Sequence, residues 1–200
     1  SNCVSKNFWQ IFEMTKKTGV GVFTVCADYF MDAPLHSEDS KVALKSQSVL
    51  IKLLKSASKL GVTDIVIPCV DQSSLVKNSG EDRFVEIMNP IERIADRYGI
   101  NLSLETDLAP MPFVDLLNRF ASKHFKVNYD IGNSAAMGFD PVEELQAYGE
   151  RISDIHIKDR KLGGGPEVLG QGHADFDRFF EKLKDFNYEG PFIMQAYRDD

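Results

Sequence analysis

The chain has 200 residues, 43% of them hydrophobic, with a formal net charge of −7. That is enough apolar material for one sizeable core and too short a chain for two independent domains, so a single domain over 1–200 is expected. The acidic balance and scattered basic residues argue against a nucleic-acid or anionic-membrane partner, and no apolar run approaches the length of a membrane span.

The chain opens with Ser-Asn rather than Met, which reads as a cloning or processing remnant. Cys3, Cys26 and Cys69 form no CxxC pair, a usage that fits a reducing, cytoplasmic setting. NFWQIFEMTKKTG, near the start, predicts a helix stopping at Gly19, with Trp9 as a core or helix-packing residue. GVFTVCADY (21–29) predicts the first strand, closed by Asp28 and Tyr29. His36, in DAPLHSED, is expected to be structural or solvent-facing. Leu50, Leu53, Leu54, Ala57 and Leu60 recur at helical spacing up to Gly61. TDIVIPCV (63–70) is the next strand, and FVEIMNPIERIADRYG the next helix, stopping at Gly99.

NLSLETD (101–107) and FKVNYDIGN (125–133) predict two more strands, with His124 at the end of an intervening helix. PVEELQAYGERIS opens with Pro141 in its first helical turn. The strand ISDIHIKDR (152–160) ends in a crowd of charge. KLGGGPEVLGQG (161–172) follows, rich in backbone N–H groups that could wrap phosphate, with a mobile flap or a plain connector as the alternatives. FDRFFEKLKDFNYEG predicts a helix, with Phe179 and Phe180 as core residues, and PFIMQAY (191–197) the sixth strand.

Regular alternation of strands and helices makes the class α/β, with parallel strands joined by right-handed crossovers. An open doubly wound sheet and a closed barrel compete, and no GxGxxG or GxxxxGK[ST] follows the first strand, which favours the barrel. Glu105, Asp130 and His156 each sit near a strand end, 25 and 26 residues apart, about one strand-helix unit. Ser103, Asn128 and Asp154 lie two residues earlier on the same face, so one face of three consecutive strands is polar. Facing the barrel interior, these groups would be costly unless a ligand or ion satisfies them. Two carboxylates and an imidazole suit a divalent ion such as Mn²⁺, Mg²⁺, Co²⁺ or Zn²⁺; taken singly, each is also an ordinary strand-end polar group.

The stretches LSLETD, VNYDIGN, DIHIKDR, LGQGHADF and GPFIMQAYRD, in this order and spacing, resemble the sugar phosphate isomerase/epimerase superfamily. It has the xylose isomerase-like TIM (β/α)8 barrel and includes ketose 3-epimerases, hydroxypyruvate isomerase and inosose dehydratase, with the endonuclease IV type of nuclease more distant. The resemblance runs from about residue 20 to the end and implies a metal-dependent isomerase or epimerase. Its substrate would be a small sugar or sugar phosphate, reacting through an enediolate. It also implies metal ligands at Glu105, Asp130 and His156, with the fourth place on Gln195, where the family has a second Glu. Gln offers a metal a carbonyl oxygen but no proton exchange, so its presence tilts the expectation toward a one-base 1,2-isomerisation with Glu105 as the base. A catalytically silent sugar- or polyol-binding barrel and a dehydratase are the alternatives.

Asn133 matches a position that helps bind substrate or metal in the family, and it could equally cap a helix. Lys158, Arg160 and Arg198 are candidates for an anionic substrate group, with surface charge as the plain alternative. His173 lies where the nuclease branch binds further zinc, but the acidic balance is wrong for DNA. Family barrels have eight strands and often associate; six strands here predict an incomplete barrel, lacking the first strands and last helix, and a homo-oligomer is compatible with the resemblance.

Overall fold

A computed structural model describes residues 3–76 and 80–195. In chain order the elements are helix α1 (Cys3–Thr18), strand β1 (Thr24–Cys26), α2 (Tyr29–Asp32), α3 (Ser40–Ala57), β2 (Asp64–Cys69), α4 (Gly80–Tyr98) and β3 (Asn101–Thr106). Then come α5 (Pro110–Leu117), β4 (Phe125–Asp130), α6 (Ile131–Met137), α7 (Pro141–Tyr148), β5 (Ile152–Ile157), the short strands β6 (Asp159–Arg160) and β7 (Pro166–Glu167), α8 (Phe176–Leu183) and β8 (Phe192–Met194). The six long-sheet strands are all parallel, in the order β1-β2-β3-β4-β5-β8, so sequence neighbours are spatial neighbours. This is the expected barrel architecture, present as an open arc with edges at β1 and β8.

The two faces of the arc have opposite chemistry. Leu102, Leu104, Val127, Tyr129, Ile155 and, from β2, Ile65, Ile67 and Cys69 pack with the helices, which contribute Leu50 and Leu54 from α3 and Phe84, Met88 and Ile91 from α4 at three- and four-residue spacing. On the concave face, Ser103, Glu105, Asn128, Asp130, Asp154 and His156 are all buried, in the alternation that the sequence predicts. Register pairs Asn128 with Asp154 and Asp130 with His156.

Several elements differ from expectation, each for a local reason. The predicted strand 125–133 stops at Asp130, because the Asp130 side chain accepts the Asn133 N–H and caps α6. The glycine-rich run is a folded hairpin, β6 against β7, with strands of two residues that leave no alternation to read. His124 lies in a turn beyond α5 and its Nδ1 is 2.9 Å from Asn101 Oδ1. His36 is buried and meets Phe84 edge-on, a structural role. Trp9 is 59% exposed and not in the core: its ring packs against Phe8 and Phe12 of its own helix. Phe179 is fully buried and stacks on Tyr129, whereas Phe180 stays partly exposed.

Candidate metal centre

Three consecutive strands deliver Glu105 (β3), Asp130 (β4) and His156 (β5) to one buried spot at their C-terminal ends, with ligand atoms all within 4.8 Å of one another. His156 Nδ1 is 3.9 Å from both Glu105 Oε2 and Asp130 Oδ2. These separations are too long for direct hydrogen bonds and leave room between the groups.

Asp130 divides its oxygens between two tasks. Oδ1 accepts the Asn133 N–H at 2.8 Å, while Oδ2 is buried with no hydrogen-bond partner. Lys158 Nζ stands 3.6 Å from that same oxygen, so the residue two places beyond His156 does turn into the mouth. Its stem passes directly over Gly132, where a Cβ would come within 2.9 Å of Lys158 Cγ.

Asn133 reaches the centre from the first turn of α6, its Nδ2 donating to Glu105 Oε1. Asn128 Nδ2 donates to the other Glu105 oxygen at 3.2 Å. Gln195, just beyond β8, brings Nε2 within 2.9 Å of His156 Nδ1, so the fourth strand-end position also faces the cluster. Arg160 is engaged elsewhere: its Nη1 donates to Asn133 Oδ1 at 2.7 Å and its Nε to the Gly164 carbonyl at 3.0 Å. Arg198 lies outside the described residues. His173 is not part of the cluster; its Nδ1 accepts the Leu162 N–H at 3.2 Å.

The electrostatics are those of crowded carboxylates. Burial, and then the Asp130 carboxylate, raise the Glu105 pKa, with His156 and Lys158 partly offsetting them. Burial disfavours protonated His156, but Asp130, Glu105 and Asp154 outweigh it and raise the imidazole pKa. One layer deeper, burial pushes Asp154 up to about 6, reinforced by Asp64 and opposed by His156. Both Asp154 oxygens lack hydrogen-bond partners. Burial likewise raises the Cys26 and Cys69 thiols, so neither is a ready nucleophile.

A divalent cation fits this donor set. An unpartnered buried carboxylate oxygen, a second carboxylate, an imidazole and a nearby amide are hard and borderline ligands, and two negative charges match a 2+ ion. The cluster borders a cavity of about 620 Å³ lined by residues that include Asp28, Asp71, Glu105, Asn133, Lys158 and Gln195. Asp71 escapes the sequence reading; its only signal is a polar residue just past the end of β2. It has φ +52°, an uncommon conformation for a non-glycine residue, at the wall of the cavity.

Residues 9–200 match the family described as the xylose isomerase-like TIM barrel. The chain belongs to that family. Among curated xylose isomerase-like relatives, L-ribulose-5-phosphate 3-epimerase UlaE of Escherichia coli O1:K1 / APEC is 29% identical over 192 residues, covering 92% of this chain and 67% of its own length. A putative UlaE of Shigella dysenteriae serotype 1 is 28% identical over the same coverage. Solved structures share the fold. A D-tagatose 3-epimerase-like protein superposes with TM-score 0.78 at 24% identity, covering 94% of this chain and 75% of that one. The 3-keto-D-glucoside 4-epimerase YcjR of E. coli superposes with TM-score 0.80 at 18% identity, covering 98% and 79%.

Proposed function

We propose that this chain is one domain carrying one site, a divalent-metal-dependent isomerase or epimerase of a small ketose or ketose phosphate. The observation that carries the reading is the convergence of Glu105, Asp130 and His156 in a buried cluster beside a sugar-sized cavity, with Asp130 Oδ2 accepting no hydrogen bond. Curated relatives named L-ribulose-5-phosphate 3-epimerase support the same chemistry.

Glu105, Asp130 and His156 would hold the cation, with Gln195 able to add its carbonyl oxygen by turning its amide. The bound ion would supply Lewis acidity, polarising the substrate carbonyl and lowering the cost of the enediolate's negative charge. Glu105 takes the proton from the carbon beside the carbonyl. Its raised pKa suits a group that must accept and return a proton near neutrality. The Asn128 and Asn133 amides hold its two oxygens in place. Asn133 is itself held by Arg160, which makes Arg160 a positioning residue. Gln195 cannot exchange a proton at neutral pH, so of the two strand-end positions Glu105 and Gln195 only Glu105 can carry the transfer, which favours a 1,2-isomerisation along one face of the substrate.

The test follows the loss of the α-proton of a panel of ketoses and ketose phosphates by NMR, in D₂O with Mn²⁺. Exchange that disappears with EDTA and in His156→Ala is expected. Folded protein that binds Mn²⁺ yet exchanges no proton across the panel would refute catalysis and leave a sugar- or polyol-binding barrel.

A further inference from the structure

Resting on the function proposed above, we infer that this site takes the free ketose in preference to its phosphate ester. Among the described residues, the backbone nest and the guanidinium near the cavity are already committed to partners within the chain, and Lys158 is the one ammonium on the cavity lining. The glycine-rich hairpin has the backbone donors for an anion nest, but the nest is filled. Gly170 N–H and Gly172 N–H donate to Asp159 Oδ2 at 2.9 and 2.8 Å, and Ala174 N–H donates to Oδ1 at 3.0 Å. Asp159 is 1% exposed, so an outside anion does not displace it without unfolding the loop. Gly172 is shaped to this carboxylate: a Cβ there would lie 2.1 Å from Asp159 Oδ1.

Among the described residues, the cationic side chains directly after β5 also face partners within the chain. Arg160 is bonded to Asn133 and to the Gly164 carbonyl, and Lys158 faces Asp130. The described lining of the cavity carries three carboxylates, Asp28, Asp71 and Glu105, against one ammonium, Lys158. A divalent ion would balance Glu105 and Asp130. That leaves Asp28 and Asp71, at the ends of β1 and β2, as exposed carboxylates on the wall. Carboxylates at this position accept hydrogen bonds from sugar hydroxyls and repel a phosphate dianion. Asp28 Oδ1 already accepts from the Cys26 thiol at 3.0 Å and keeps its other oxygen for a ligand.

The decisive comparison is calorimetric and kinetic, with L-ribulose and L-ribulose 5-phosphate as probes and the Mn²⁺-loaded full chain as the protein. The free ketose is expected to bind at least about tenfold more tightly and to exchange its α-proton with kcat/KM about a hundredfold higher than the ester. Asp71→Asn, which retains a residue tolerant of positive φ, should narrow both gaps at least threefold. Equal or tighter binding of the ester, or gaps untouched by Asp71→Asn, overturns the inference. Selective binding of the free ketose without exchange would refute the catalytic reading and leave the charge preference standing. Absence of binding by either sugar refutes both.

Discussion

Asp159→Asn is the most informative perturbation of the hairpin, because it keeps the volume and removes the charge. In the native loop one buried carboxylate satisfies three N–H donors, two on Oδ2 and one on Oδ1. An Asn carbonyl in the Oδ2 place keeps two of them, weakened from charge-assisted to neutral hydrogen bonds, a loss of about 1 kcal/mol each. Its NH₂ then faces the Ala174 N–H, donor against donor, and leaves that group unsatisfied at a cost of about 1–3 kcal/mol. Because water reaches the exposed Gly170 end of the loop, the expected net loss is roughly 2–4 kcal/mol. For a domain of this size that lowers Tm by roughly 5–15 °C if the loop and core unfold together. If the loop opens alone, the same energy appears as faster hydrogen exchange at Gly170, Gly172 and Ala174, by roughly 30- to 1,000-fold. Measuring both separates the two cases. Unchanged exchange at all three amides together with an unchanged Tm would refute the anchoring role.

Other expectations follow from the same geometry. Burial, and then the Glu144 carboxylate, hold the Tyr129 and Tyr148 phenols well above their ordinary pKa, so the fold favours their protonated forms. Stability from this source is present below about pH 10 and lost as pH rises beyond it; absorbance at 295 nm should show these two phenols ionising only with unfolding, and ionisation of all six tyrosines near pH 10 in folded protein would contradict this. Phe179→Ala, which empties a fully buried site stacked on Tyr129 at 4.8 Å, should cost about 3–5 kcal/mol in urea unfolding. Gln195→Glu places a third carboxylate beside Glu105 and Asp130. It should tighten Mn²⁺ binding at least tenfold by calorimetry, a fraction of the roughly 4 kcal/mol that unit charges 4 Å apart exchange at intermediate dielectric. Unchanged affinity would mean that this side chain does not face the ion.

Glu105, Asp130 and His156 were legible in the sequence because two simple periods place them. Alternation along a strand sets the face, and the length of one strand-helix unit sets the level around the arc. Asn133 was legible as a candidate but its element was misplaced, since β-propensity continues through Ile131 while the Asp130 cap starts a helix there. The Asp159 nest was not legible. It joins one side chain to donors 11, 13 and 15 residues away through a hairpin whose strands are too short to leave a pattern. Asp71 left little trace for a similar reason: its placement depends on the backbone turn after β2, and a lone Asp in a loop looks like any solvated residue. Trp9 shows the reverse failure, where an amphipathic helix with aromatic residues suggested burial that its own neighbours supply only in part.

The cap at Asp130 is the joint between fold and chemistry. One carboxylate oxygen starts α6, and that commitment fixes the side chain so that its other oxygen, free of hydrogen bonds and 3.6 Å from Lys158 Nζ, faces the Glu105–His156 cluster. The same turn puts Asn133 where its amide grips Glu105, while Arg160, from the strand after β5, holds the far side of that amide and fixes which end is the donor. Gly132, lying between them in sequence, leaves the space through which Lys158 reaches the mouth. Three of the groups that shape the site therefore depend on a single helical start. Hydrogen bonds within the chain set the orientations of Asp130 and Glu105, so a cation held between Glu105, Asp130 and His156 would meet carboxylates already in place, while the Gln195 and Asn128 amides at His156 Nδ1 and the Lys158 ammonium at Asp130 would have to give way to it.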